Sequence, residues 1–426
     1  MDFNLRDKYS YQIDLEYVML TKESFRGIKG PTLFSKLKYY EPLGSTNIDY
    51  MHSILYGVIL RLLEMWFSPK YSKESFSISG FQKEINNKIV SIRPPKFVAH
   101  APRIIEKYHL WRAHELQNFI LYYALFILNG YLEVCYYENL IVLVLIFENL
   151  LCKNIEVNSL PKIKILIHIF LNQCSCLYPP EIMVSGFHEL LHLVQCTLDF
   201  GPMNSFSCFQ FEELNRKIKQ MVNGRFLIGE EFVKIFTVMQ SLEQYNQTCE
   251  FKNQKLYDFV KENCEIKSTN RFKNQVKKVK VWKTKKLLCE EIIEFNSSLN
   301  IDLSLELEYY SVEIISLDDV KFTTTKNDSL FCDYCVKSNS GRFGLIEIIL
   351  LQGNEVYVII REMFELHNPF YYIEMEQLKS KTSLYSLSDT FYLEKLKNVK
   401  KIFMINFEEE TKIIYASTFG SSHLFK

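Results

Sequence analysis

Residues 267–286 divide this chain into two parts with different folding instructions. The stretch holds nine Lys or Arg and no acid. Before it, apolar residues recur at three and four positions, the period of a helix with one buried face. After residue 287 the pattern turns to short apolar runs punctuated by turn residues, the period of strands. A run this basic stays at the surface, so it reads as a linker between a helical region and a β-rich one.

With 426 residues the chain exceeds one ordinary core, and two or three domains are expected. Hydrophobic residues make up 48% and aromatic residues 15%, enough to bury a sizeable interior. Lys+Arg and Asp+Glu both number 50, so any nucleic-acid footprint must be local. The first residues are charged where a signal peptide needs an apolar core. Eleven cysteines without framework spacing point to a reducing compartment. The most apolar runs, 119–128 and 140–147, fall well short of the ~20 residues of a membrane helix, and Glu133, Glu138 and Glu148 interrupt them. These features predict an intracellular protein with no membrane partner.

Four segments follow in order: a polar stretch at 1–48, a helical region at 49–265, the basic linker at 266–286 and a small β-rich domain at 287–426. The fold class is α+β. In the helical region Leu55, Val58, Ile59, Leu62, Leu63 and Trp66 define one buried face, Arg61 and Glu64 the other, and Ser68-Pro69 a stop. Ser159-Leu160-Pro161 starts a helix that Pro179-Pro180 ends. In the β region, Gln352-Gly353-Asn354 and Glu408-Glu409-Glu410 each separate two strand-like runs, a hairpin pattern.

The densest chemistry lies between residues 186 and 215. His188-Glu189-Leu190-Leu191-His192 sets two imidazoles one helical turn apart with a glutamate between them. That is the spacing with which zinc peptidases of the HExxH type hold one Zn²⁺ and activate a water, and Glu212 has the spacing of a third ligand.

A second reading rests on a longer series of blocks. Asp49-Tyr50-Met51-His52 is followed by Leu55, Gly57, Val58, Leu62, Leu63, Trp66 and Phe67. Next come Pro94-Pro95, Pro102-Arg103, then Trp111, Ala113 and Glu115 leading to Leu121-Tyr122-Tyr123, then Leu177-Tyr178. His188, His192, Leu193, Gly201-Pro202 and Ser207-Cys208-Phe209 with Phe211, Glu212 and Asn215 complete the series. In order and spacing, over residues 26–245, this resembles the transposase region of CACTA-type (En/Spm-like) elements, with their Asp-x-x-His signature.

The resemblance implies a helical insertion followed by the last helix of an RNase-H-like core, whose three carboxylates hold two Mg or Mn ions for phosphoryl transfer. Glu212 would be the third carboxylate. Asp49, His52, His188 and His192 would be ligands of one structural Zn tying the insertion's start to its end. The implied setting is the nucleus, with transposon terminal repeats as the DNA partner and self-association. The implied ancestral function is cut-and-paste DNA transposition.

The sequence also departs from that pattern. The family's first two catalytic aspartates lie upstream of the Asp-x-x-His segment, where this chain offers only Asp2, Asp7 and Asp14 in polar surroundings. Both therefore read as missing, and one glutamate cannot hold two Mg²⁺. Pro179 stands where the family favours Gly, and His114 interrupts the Trp-Ala-Glu block. The expectation is a transposase-derived DNA-binding protein, inactive in isolation, with a domesticated DNA- or protein-interaction module and the zinc peptidase as alternatives. Candidate DNA contacts are Arg103, Lys277, Lys278, Lys280 and Lys283, the lysines lying beside Trp282.

Plainer readings stand beside these. His188 and His192 also suit a helix edge, Asp49 an N-cap, Glu212 a helix surface, and Arg103 and Arg112 ion pairs with a nearby carboxylate. Cys332 and Cys335 form a single CxxC with no second pair, which suits structural or free thiols better than a zinc knuckle.

Overall fold

The computed structural model describes residues 6–96, 98, 101–222, 227–248, 279–317, 320–327, 331–368, 380–408 and 413–417. The fold is α+β, with helices in the N-terminal part and an antiparallel sheet in the C-terminal part.

The apolar stripe starting at Leu55 forms a helix, as its spacing predicts, but in two conformations. Met51–Ile59 is π-helical and continues directly into α-helical Leu60–Phe67, ending at Ser68. All six residues of the expected buried face are at most 1% exposed. Arg61 and Glu64 pair on the other side. Further helices form over Gln82–Ser91, Ala113–Asn118, Phe119–Tyr123 (again π-helical) and Ala124–Leu128. The longest apolar helices are Val134–Leu150 and Leu160–Leu177, the latter with proline in its first turn. Among the described residues no helix is long and apolar enough to cross a membrane.

Past Pro179-Pro180 the chain turns into the short helix Ser185–Glu189, a 3-10 turn Leu190–His192 and the helix Leu193–Phe200. The first of these crosses the π-helix with backbone against backbone. A Cβ on Gly186 would lie 2.3 Å from the Ser53 carbonyl oxygen, and one on Gly57 would lie 3.3 Å from the Gly186 Cα. Only glycine allows that approach.

Among the described residues the sheet has ten strands, every pairing antiparallel: β1 (Val279–Lys286), β2 (Tyr310–Leu317), β3 (Val320–Thr323), β4 (Cys335–Ser338), β5 (Phe343–Gln352), β6 (Glu355–His367), β7 (Thr382–Lys395), β8 (Val399–Lys401), β9 (Phe403–Glu408) and β10 (Ile413–Ser417). Its main path runs β1-β2-β5-β6-β7-β10-β9, with β3 on β2 and β4 bridging β5 to β8. Both expected strand pairings form, the second as β9 with β10, while Glu409 and Glu410 of its expected turn lie outside the described residues. In the first, Gln352 pairs with Glu355 around Gly353, whose φ of +55 suits glycine in a two-residue turn.

Two expected boundaries change. The last eight residues of the basic run, 279–286, are not linker but β1, paired along their length with β2. The helical region also does not run on as one body to residue 265. One compact unit joins Met1–Phe206 to Val279–Phe425, and Ser207–Lys278 falls outside it. The sheet is therefore not a small appendage.

Within that joint unit, polar groups tie helices to sheet. The Glu148 carboxylate accepts from Ser380 Oγ at 3.0 Å and from the Lys381 backbone N–H at 2.9 Å. Asp333 Oδ1 accepts from Lys401 Nζ at 2.8 Å and from the Lys96 backbone N–H at 3.0 Å. Cys332 N–H donates to the Pro94 carbonyl, and Phe126 meets Tyr415 with ring centroids 4.7 Å apart. Ser207–Lys278 contains two described helices, Phe209–Met221 and Ile228–Thr248.

Candidate metal centre and nucleic-acid contacts

Asp49 precedes the π-helix and caps it. Its Oδ2 accepts the His52 backbone N–H at 3.1 Å, and its carbonyl accepts from Ser53 N–H. The same Oδ2 takes the His52 Nδ1–H at 2.5 Å. A carboxylate on Nδ1 fixes the tautomer and directs the lone pair to Nε2, the arrangement commonly found behind metal-bound histidines. Asp49 thus caps and orients at once, and is better placed to position His52 than to be a ligand itself.

His188 lies near the end of Ser185–Glu189 and His192 closes the 3-10 turn. Their Nε2 atoms face each other at 3.4 Å. Two nitrogens bound to one tetrahedral zinc at about 2.0–2.1 Å stand roughly 3.4 Å apart, so this pair has the spacing of two ligands. Burial, and secondarily the neighbouring His188, lower the His192 pKa, while Glu189 opposes them. That keeps the imidazole neutral, as metal binding requires.

The two pairs lie on elements that touch: Ser53, next to His52, meets Gly186, two residues before His188. They do not form one donor set. No three of Asp49, His52, His188 and His192 have ligand atoms mutually within 4.8 Å. What ties Tyr50 to residues far along the helical region is a hydrogen-bond network that the sequence did not single out. Tyr50 Oη, fully buried, donates to Asn204 Oδ1 at 2.9 Å and accepts from Gln117 Nε2 at 3.3 Å. Asn204 Nδ2 in turn donates to the Leu151 carbonyl at 3.1 Å. A buried tyrosine needs a partner for its hydroxyl, but which one was not readable from spacing.

Glu212 is exposed in the first turn of Phe209–Met221, where a carboxylate favours the helix dipole. Of the upstream aspartates, Asp7 caps Lys8–Thr21. Asp14 is buried and pairs with Arg6 and Arg26 at 3.4 and 3.6 Å. Asp2 lies outside the described residues.

The cationic candidates divide. Arg103 Nε pairs with Glu115 Oε1 at 2.8 Å, so the plainer ion-pair reading describes it. Both line a hollow with Pro102, Trp111, Phe119 and Tyr123. Lys277 and Lys278 lie outside the described residues. Lys280 is exposed on β1, and Lys283 pairs with Glu313 at 2.5 Å. Lys285 and Lys286 pair likewise with Glu291 and Glu308. Three of β1's four lysines are thus locally compensated, which weakens the field the sequence suggests. Such exposed pairs are worth only ~0–1 kcal/mol each and exchange readily for phosphate.

Cys332 and Cys335 are buried in the sheet's core. Burial pushes the Cys332 thiol up to about 12 and Cys335 well above its ordinary value, so both are structural thiols.

Comparison with models of known protein families, with curated proteins and with solved structures finds no match.

Proposed function

We propose that this chain is a transposase-derived DNA-binding protein of the CACTA type, in which Phe209–Met221 with Glu212 is the remnant of an RNase-H-like core. The observation that carries the reading is the meeting of segments on which the resemblance rests. Gly57 packs on Gly186, Trp66 Nε1 donates to Tyr178 Oη at 3.0 Å, and Arg103 pairs with Glu115. Blocks separated by up to about 130 residues thus act as one structural unit, as a helical insertion of that kind requires. Glu212 alone does not make a two-metal centre, so the role proposed is binding rather than strand transfer. The proposed setting is nuclear and self-associating.

His188 and His192 would hold zinc through Nε2; His52, which does not lie with that pair as its exposed side chain stands, would complete the set by turning towards it, with Asp49 behind it. The metal would supply structural cross-linking, and the chain's own residues provide neutral imidazoles and a fixed tautomer.

Two measurements test this. Metal analysis of purified protein should find zinc in the wild type and none in a His188→Ala, His192→Ala double variant, with Asp49→Asn binding about 10–100-fold more weakly. Equal zinc in all three sinks the clip. Binding to a terminal-repeat duplex should weaken, with a shallower salt dependence, when Lys277, Lys278, Lys280 and Lys283 become Ala. Unchanged affinity removes DNA from the account and leaves the protein-interaction module. The His188–His192 spacing equally suits a zinc peptidase, so Glu189→Gln serves as the discriminating variant: loss of peptide hydrolysis there would favour that reading.

A further inference from the structure

The joint between helices and sheet places a thiol against an amine. Lys381 Nζ lies 2.6 Å from Cys152 Sγ, 229 positions away in sequence. That is shorter than an ordinary N–H···O hydrogen bond of about 2.9 Å, although sulfur is the larger atom. It is still too long for a direct N–S bond. A single intervening oxygen, bonded to both atoms, spans such a gap. The surroundings hold both side chains in place. Cys152 Sγ donates to the Glu148 carbonyl at 3.0 Å, and the Glu148 carboxylate accepts the Lys381 backbone N–H at 2.9 Å. Cys152 and Lys381 are each half-buried, within reach of a small oxidant.

We propose that Cys152 and Lys381 form an oxidation-dependent N–O–S cross-link that fastens the end of Val134–Leu150 to the start of β7. The co-reactant is a peroxide. The neutral amine and the thiol react with two molecules of hydrogen peroxide to give one N–O–S bridge and three waters. Nitrogen and sulfur each lose one hydrogen and together give up four electrons, which cleave the two O–O bonds. The Lys381 ammonium must first release a proton, which passes to solvent at this half-buried position. Two dithiols reverse the reaction, returning thiol, amine and one water. The site is a reversible redox clamp between the two parts of the fold.

The test uses the full chain, reduced or treated with hydrogen peroxide, then alkylated, digested without reductant and analysed by mass spectrometry. The expected result is one linked pair of peptides containing Cys152 and Lys381. It is heavier than their sum by one oxygen less two hydrogens, disappears with dithiothreitol, and is absent from Lys381→Gln. Three results would overturn the proposal: Cys152 recovered only as sulfenic, sulfinic or sulfonic acid; Cys152 in a disulfide; or a linked pair lighter by two hydrogens without added oxygen. Because the wild-type protein decides the matter, misfolding of a variant does not blunt the test.

Discussion

Two long-range joints hold the larger unit together, and they work by opposite physics. At the crossing of Gly57 and Gly186 two helices meet through their backbones, and the contact is steric and apolar. Where helices meet sheet, the contact runs through buried carboxylates: Glu148 on Ser380 and Lys381, and Asp333 on Lys401 and Lys96. The first joint holds no titratable group and leaves no room for an added atom. The second tolerates modest changes of shape but depends on protonation and on each partner being present. An apolar contact is roughly indifferent to pH, whereas a buried charge is held only by its partners.

The sharpest way to break the polar joint is Asp333→Ala. Asp333 and Lys401 side chains are 2% and 8% exposed, so truncation strands a buried ammonium. A loss of about 3–5 kcal/mol in chemical denaturation is expected. A loss below about 1 kcal/mol would mean water reaches the pair and the contrast is false.

The steric joint answers to Gly186→Ala, whose new Cβ would lie 2.3 Å from the Ser53 carbonyl oxygen. Backbone must move, at about 1–3 kcal/mol or more. The loss should be the same at pH 5 and pH 8.

Glu148 distinguishes the two joints through pH. Its folded pKa, raised by burial to about 7, exceeds the ordinary 4.5, so the folded state binds the proton more tightly. The carboxyl therefore contributes its full stability below pH 4.5, loses it as pH rises towards 7, and is level above that. The difference is on the order of 3 kcal/mol. Glu148→Gln should flatten that part of the stability–pH curve. An unchanged slope would place the titration elsewhere.

The smallest effect expected is from Tyr50→Phe, which removes one hydroxyl bonded to both Asn204 and Gln117. About 1–2 kcal/mol is expected, again without pH dependence. Urea denaturation of the variant checks it, and a neutral result would show that the network does not hold these distant segments together.

The helical stripe from Leu55 to Trp66, the proline-flanked Leu160–Leu177 helix and both strand pairings were legible in the sequence. Each is specified locally, by apolar period or turn residues. The His188–His192 pairing was legible for the same reason, since helical spacing alone brings the rings together. Trp66 on Tyr178 was visible only as resembling blocks, and Arg103 as an ion pair with a carboxylate the sequence did not identify.

Other features had no local signature. The basic run reads as one linker because charge density is the same whether or not a lysine lies on a strand; pairing of β1 with β2 is a long-range choice. Glu148 reads as an interruption in an apolar run, a sign of surface, yet it is buried because Ser380 and Lys381 supply its hydrogen bonds. The Tyr50–Asn204 network and the approach of Lys381 to Cys152 join residues more than 150 apart.

By itself, then, the sequence determined most of the stretches that are helix or strand and which residue types could bind a metal. Those properties follow from periods of two and 3.6 residues and from side-chain chemistry. Only the tertiary structure decided that helices and sheet share one unit, that Asp49 bonds both the backbone and the ring of His52, and which carboxylates are buried. The first and last of those outcomes depend on groups distant in sequence meeting in a low-dielectric interior, where an unpaired charge or hydroxyl is costly enough to select its partner.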